Sequence, residues 1–168
     1  MNSRVVILLI LAAVSHCWAQ ARRPASRPES EYYVTAYAQH YRVPVPLVRA
    51  IVERESNWRA CAVSPKGAVG LMQLMPKTAE RLRVRDRFDV NQNVSGGVRY
   101  LAWLMRQFPN DFRLVAAAYY AGENVVGRRG LAYHNRDVVN YVARIRTSYL
   151  RQTDLGTNSE INWKRDRR

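Results

Sequence analysis

Apolar side chains recur at helical spacing along much of this chain, and this periodicity most limits the folds open to it. One stripe, within residues 91–108, has members spaced at steps of four and three: Val94, Val98, Leu101, Met105 and Phe108. A second stripe, within residues 136–150, contains Val138, Val142, Ile145 and Tyr149. Such spacing places side chains on one face of an α-helix. No period-two alternation and no Asn-Gly or Asp-Gly turn indicates a hairpin, so the sequence predicts an all-α domain of about six or seven short helices.

Capping and breaking residues set the expected bounds of these helices. The predicted helices span residues 31–41, 46–56, 76–84, 91–108, 112–121 and 136–150. Ser30 and Asp111 are suitable N-caps, Pro46 fits a first helical turn, and Gly122 is placed to end a helix.

The N-terminal segment is typical of a secretory signal peptide. An unbroken apolar run, residues 5–14, follows an arginine and is too short to span a bilayer. We expect residues 1–21 to be a signal peptide cleaved after Ala19 or Ala21; an uncleaved anchor and a lipid-modified Cys17 are less favoured alternatives. The expected location is therefore the periplasm, or outside the cell, with no membrane anchor after signal removal.

The rest of the chain divides into a lead-in, one domain and a tail. Residues 22–30 are rich in Pro, Arg and Ser and predict a flexible lead-in; residues 31–150 form the domain, and residues 151–168 a basic tail. The net charge of +14 favours anionic partners. For an exported chain these are cell-wall and envelope polyanions and not nucleic acid, although a merely solubilising surface fits equally well.

Cysteine and histidine are too scarce to indicate thiol or metal chemistry. Signal removal leaves only Cys61, which we expect to be a small buried residue or a route to a crosslinked dimer and not a nucleophile. With three histidines in the whole chain, no metal site and no cofactor are expected.

Two glutamates near the end of one predicted helix differ in the direction they face. Winding residues 47–56 as a helix places Glu55 on the apolar face, and Glu53 on the opposite side beside Arg49, where an i,i+4 pair is expected. An inward carboxyl loses solvation, which raises its pKa and keeps it protonated, as a general acid requires. The pattern alone leaves open the alternative of a structural glutamate paired with an arginine.

Four ordered motifs carry a family resemblance over residues 31 to about 150. They are Glu55-Ser56, the run "GAVGLMQLMP" from Gly67 to Pro76, the segment "AYYAG" from Ala118 to Gly122, and Asp137-Val138 before Tyr141-Val142, with "NVSGGVRYL" among them. Together they resemble lytic transglycosylases of the soluble type, bacterial enzymes with a goose-type lysozyme-like fold. Two departures stand out: Tyr120 replaces the family's usual Asn, and Asp137-Val138 replaces Glu-Thr.

The resemblance implies a lyase that acts on peptidoglycan glycan strands. In that chemistry Glu55 protonates the bond between N-acetylmuramic acid and N-acetylglucosamine and then takes the proton of the muramoyl C6 hydroxyl, giving a 1,6-anhydro end. The implied substrate-binding residues are Ser56, Met72, Gln73, Tyr119 and Tyr141. The structural alternatives are a polar helix end for Ser56, a loop-bracing amide for Gln73, and core packing for Met72 and the two tyrosines. Glu123 is expected to be exposed.

Two other functions remain open at this stage. A muramidase of the same fold would admit water and leave reducing ends, and a non-catalytic cationic wall-binding protein would keep only the fold. The small size resembles accessory enzymes that open the wall for a secretion or conjugation apparatus, whose components would then be partners. Housekeeping wall turnover is equally compatible.

Overall fold

The computed structural model describes residues 24–130 and 135–153 as a bundle of helices joined by loops. The helices are α1 (Arg27–His40), α2 (Val45–Ser56), α3 (Pro76–Arg81), α4 (Val90–Gln107), α5 (Phe112–Ala121), α6 (Glu123–Arg129) and α7 (Arg136–Thr153). The only β-type pairings within those ranges are isolated bridges of Val69 with Val63 and Leu74. The prediction of an all-α domain with six or seven helices is confirmed. The expected signal peptide and residues 154–168 of the expected tail lie outside the described residues.

The first helix begins earlier than predicted. The hydroxyl of Ser26 accepts a hydrogen bond from the amide of Glu29 at 3.3 Å, so Ser26 is the N-cap. Ser30, the predicted cap, is buried inside α1. Residues 27–30 are thus helical and not part of a flexible lead-in. At the other end, α7 continues to Thr153, three residues into the predicted tail.

Other boundaries agree with the sequence. The carboxylate of Asp111 accepts from the amides of Arg113 (2.9 Å) and Leu114 (3.4 Å) at the start of α5, and Gly122 ends that helix with φ of 91°. The short helix α6, which directly follows Gly122, was not predicted.

Helix α2 lies at the centre of the core. It packs against α1 and α7, and α7 also packs on α5. Its apolar face is fully buried and consists of Leu47, Val48, Ile51 and Val52. The helix ends where Asn57 and Trp58 adopt left-handed backbone angles, with φ of 49° and 62°. Because α2 stops there, its last turn lies at the edge of the core.

The loop between α2 and α3 is fixed by the buried side chain of Asn93 on α4. Its amide nitrogen donates to the carbonyls of Val69 (2.9 Å) and Arg87 (2.8 Å), and its oxygen accepts from the amide of Met72 (2.9 Å). Gly70 has φ of +85°, and a Cβ there would lie 2.2 Å from the amide nitrogen of Asn93. The loop therefore needs glycine at this position to reach α4.

Two surface properties complete the description. Cys61 is exposed, so the prediction of a buried cysteine is wrong. Among residues 24–130 and 135–153, no helix combines the length and the apolar character that crossing a membrane requires.

We expect Gly70→Ala to destabilise the fold by more than about 2 kcal/mol, because it adds left-handed backbone strain to a clash with Asn93. Gly127→Ala is the matched control: Gly127 lies in α6, and a Cβ there meets nothing within 4 Å. This change should stabilise the protein by about 0.5–1 kcal/mol. Urea unfolding of both variants measures the difference, and equal midpoints would contradict the role given to Gly70.

Candidate active site

The carboxyl of Glu55 lies on the last turn of α2 and is bound by a tyrosine from α7. The hydroxyl of Tyr141 donates to Oε1 of Glu55 at 2.5 Å. Burial raises the pKa of Glu55 above its usual range, and neither the Tyr141 hydrogen bond nor the charge of Arg54 fully offsets this. The inward direction predicted for Glu55 thus places its carboxyl where the protonated form is favoured more than it is in water, which suits a general acid.

A second tyrosine lies close to the same carboxyl. Burial, followed by the charge of Glu55, raises the pKa of Tyr119 and of Tyr141 well above the usual range. Both phenols therefore remain protonated donors near neutral pH. Tyr119 donates to the carbonyl of Met72 at 2.7 Å, which connects α5 to the α2–α3 loop.

A cavity of about 390 Å³ extends beside these tyrosines. Its wall includes side chains from the α2–α3 loop and from α3, α4, α5 and α6: Gln73, Met75, Lys77, Arg81, Tyr100, Tyr119, Tyr120 and Glu123. Glu55 does not form part of this wall. Tyr120 connects the cavity to Glu55, because its ring stacks on that of Tyr141, which binds Glu55, with centroids 4.7 Å apart.

Gln73 braces the loop and also lines the cavity. Its Nε2 donates to the carbonyls of Ala62 and Gly70, both at 3.0 Å, and its backbone has φ of 47°. Since the protein uses both amide hydrogens, Oε1 is the atom through which Gln73 can accept a hydrogen bond from a ligand N–H.

Three predicted binding residues, Ser56, Met72 and Tyr141, have buried side chains. The hydroxyl of Ser56 donates to the carbonyl of Val52 at 3.1 Å, which is the polar helix-end arrangement. The side chain of Met72 is fully buried, and its sulfur occupies the space beside Gly97. Met72 therefore belongs to the core and not to the cavity wall. Met75, which is 41% exposed, lines the cavity instead.

Glu123 was expected to be exposed but is half-buried in the cavity wall. Its Oε1 pairs with Arg81 at 2.5 Å, and its Oε2 accepts from the hydroxyl of Tyr100 at 2.7 Å. Burial acts to raise its pKa, but the hydrogen bonds from Arg81 and Tyr100 prevail and lower it. Arg81 and Tyr100 thus stabilise Glu123 in its charged, carboxylate form. In the described part of the chain, no group of three or more His, Cys, Asp or Glu residues could hold a metal ion.

The predicted pairing of Glu53 with Arg49 is wrong, because Glu53, like Glu55, is bound by side chains of α7. Its carboxylate accepts from the hydroxyl of Ser148 at 2.5 Å and from Arg151 at 2.7 Å, both on α7. The Ser148 hydrogen bond is the main reason that the pKa of Glu53 is lowered, with Arg151 adding to it. Arg49 pairs instead with Glu31 on α1 at 2.9 Å.

The chain is similar in sequence and in fold to lytic transglycosylases. The family described as Transglycosylase SLT domain matches residues 32–141. The membrane-bound lytic murein transglycosylase F of Pasteurella multocida is 43% identical over 67 residues, which cover 40% of this chain and 14% of that relative. The chain therefore corresponds to a small part of the curated relatives it matches.

Solved structures show the same fold. The 70 kDa soluble lytic transglycosylase from Escherichia coli aligns with a TM-score of 0.69 at 23% identity, over 79% of this chain and 25% of that one. The lytic transglycosylase Slt from Pseudomonas aeruginosa aligns with a TM-score of 0.66 at 22% identity, over 74% and 24%. At these identities the likeness establishes the lysozyme-like fold.

The opposite pKa shifts of the two glutamates predict opposite effects on stability. The pKa of Glu55 is higher in the folded protein than its ordinary value of 4.5, so ionisation of Glu55 favours the unfolded state as the pH rises above 4.5. Glu55→Gln should therefore be more stable than the parent at pH 7. A lowered pKa makes the Glu53 charge favourable at neutral pH, so Glu53→Gln should be less stable there.

Urea unfolding at pH 7 and pH 4 measures both effects. Each difference in the free energy of unfolding from the parent should shrink at pH 4. For Glu55, the carboxyl is then largely protonated in both the folded and the unfolded state. For Glu53, the pH then approaches the lowered pKa of the folded protein. Stability changes of the same sign at pH 7 would contradict the assignment.

Proposed function

Because the chain belongs to the Transglycosylase SLT domain family, we propose that it is a lytic transglycosylase that cleaves the glycan strands of peptidoglycan without water. The observation that carries the proposal is the desolvated carboxyl of Glu55, held by the hydroxyl of Tyr141. A carboxyl whose pKa is raised keeps its proton to higher pH, and this is the proton that departure of a sugar oxygen requires.

The reaction proceeds in two proton transfers through one carboxyl. Glu55 first protonates the glycosidic oxygen between N-acetylmuramic acid and N-acetylglucosamine, and the C1–O bond breaks while the substrate's acetamido group stabilises the positive charge at C1. The muramoyl C6 oxygen then bonds to C1 and releases its proton to the Glu55 carboxylate. The product is a 1,6-anhydro end, and Glu55 returns to its starting state.

Tyr141 assists the step in which Glu55 is negative. Its hydrogen bond lowers the pKa of Glu55 and therefore stabilises the carboxylate more than the acid. The bond also limits rotation of the carboxyl group. Gln73 is suited to accept from an acetamido N–H of the glycan, and Tyr119 keeps the loop that carries Gln73 beside α5.

The contacts of Glu123 favour a lyase over a muramidase of the same fold. An inverting hydrolase requires a second carboxylate that activates water. Both oxygens of Glu123 already accept hydrogen bonds, from Arg81 and from Tyr100, and its lowered pKa makes it a weak base. The non-catalytic alternative is disfavoured because the Glu55–Tyr141 pair is present and desolvated.

The proposed setting is the periplasm, with residues 1–21 as the export signal. The net charge of +14 suits an anionic envelope polymer. Local opening of the wall for a secretion or conjugation apparatus fits the small domain. Wall turnover fits the same chemistry.

Replacement of Glu55 should abolish cleavage, whereas replacement of the nearby Glu53 should not. We expect Glu55→Gln to reduce the rate of release of soluble fragments from purified wall sacculi by about a hundred- to ten-thousand-fold, the typical contribution of a general acid. Glu53→Gln should stay near the parent rate, because Ser148 and Arg151 hold that group as a carboxylate of lowered pKa, which is a poor proton donor.

Circular dichroism of both variants is the control for folding. Near-normal cleavage by a folded Glu55→Gln protein would refute the proposed mechanism. A large loss in Glu53→Gln with a native spectrum would show that the acid has been assigned to the wrong glutamate.

The products distinguish the lyase from the muramidase. Every fragment released by the parent should carry a 1,6-anhydro end, and mass spectrometry should find it lighter by one water than the hydrolysis product. Glu123→Gln should retain cleavage with the same products, since the proposed reaction needs no second base. Reducing ends in the parent digest that disappear in Glu123→Gln would make the protein a lysozyme.

A further inference from the structure

Tyr120 is an exposed aromatic residue in the cavity wall. It is 47% exposed and lines the cavity beside Tyr119 and Glu123. Within the described residues its hydroxyl has no hydrogen-bond partner. A large aromatic side chain left open in a concave surface is more informative than one on a convex surface, because cavities of this kind are where ligands bind.

The ring of Tyr120 is held firmly from one side. It stacks on Tyr141 with centroids 4.7 Å apart and an interplanar angle of 29°, an offset arrangement that aromatic pairs favour. Tyr141 in turn is buried and bonded to Glu55. The orientation of the Tyr120 ring is therefore set by the same residue that holds the acid, while its remaining surface is open.

We infer that Tyr120 is a stacking platform for a pyranose ring of the glycan beside the reacting bond, and so a specificity-determining residue that this chain has in place of the family's usual asparagine. The inference rests on the proposed function for its choice of ligand class. An all-equatorial N-acetylated sugar presents axial C–H bonds on each face, and such a face packs well on a flat ring. An asparagine can only hydrogen-bond to the rim of the sugar.

The position of the platform predicts which step it serves. Tyr120 reaches Glu55 only through Tyr141, so its ring contributes to binding of the ground state and the transition state alike. Interactions of that kind change KM and leave kcat unchanged. A residue that acted by positioning Tyr141 would instead change kcat and the pH dependence set by Glu55.

The binding test uses the Glu55→Gln protein, which should not turn over its ligand. Calorimetric titration with tetra-N-acetylchitotetraose gives the parent Kd in that background. Adding Tyr120→Ala should weaken binding about tenfold, equivalent to about 1.4 kcal/mol. Adding Tyr120→Phe, which keeps the ring, should stay within about threefold, because at most one neutral hydrogen bond is lost. Tyr32→Ala is the matched control, since Tyr32 is 69% exposed and outside the cavity wall.

Several outcomes of the titration would overturn the inference. The Tyr120→Ala variant could bind the tetrasaccharide as tightly as the Glu55→Gln background, or that background could fail to bind it. The affinity could also fall as much in Tyr120→Phe, or in Tyr32→Ala, as it does in Tyr120→Ala.

The kinetic test uses the otherwise unchanged enzyme on uncrosslinked glycan strands. Tyr120→Ala should raise KM about tenfold, keep kcat, and keep the acid limb of the pH profile. A reduced kcat at constant KM, with a shifted acid limb, would show positioning of Tyr141 and overturn the platform. If the unchanged enzyme does not cleave the strands at all, the proposed function fails, while the titration still decides whether Tyr120 binds sugar.

Discussion

The hydrogen bond from Tyr141 to Glu55 is the contact on which the rest of the molecule depends. It joins residues 86 positions apart and requires α7 to lie against the last turn of α2. The buried faces of both helices provide that packing. The bond also leaves a carboxyl in a site where burial raises its pKa, so the core that positions Glu55 also favours its protonated form more than water does. In the proposed role of Glu55 as the acid, stability and function oppose each other at this residue.

Three glutamates show how local donors decide the role of a carboxyl. Glu53 has a serine and an arginine as donors, Glu123 has an arginine and a tyrosine, and both are held as carboxylates of lowered pKa. Glu55 has a single tyrosine and deeper burial, and its pKa moves in the opposite direction. One neutral donor is enough to orient the carboxyl without stabilising its charge fully, which is what an acid that must release and recover a proton needs.

Helical periodicity was sufficient to predict the helices and the inward direction of Glu55, because both follow from the angular spacing of side chains on α2. It could not predict α6, which has seven residues and no capping side chain, nor the contacts of Glu123, whose partners lie on α3 and α4. Loops carry no fixed period, so the sequence could not show that Met72 turns into the core and Met75 toward the cavity. Ser26 and Ser30 are both good caps, and only the course of the chain distinguishes them.

Aromatic side chains form two groups, one at Glu55 and one along the cavity wall. Tyr120 stacks on Tyr141, the ring of Tyr100 lies 5.6 Å from that of Tyr119, and Trp103 stacks on Tyr100. Arg81 lies over the rings of Tyr100 and Trp103 and pairs with Glu123, so the far end of the wall is charged but balanced. Aromatic rings supply apolar contact area with few rotatable bonds. The stacking of Tyr120 on Tyr141 therefore joins this apolar surface of the cavity to the residue that orients Glu55.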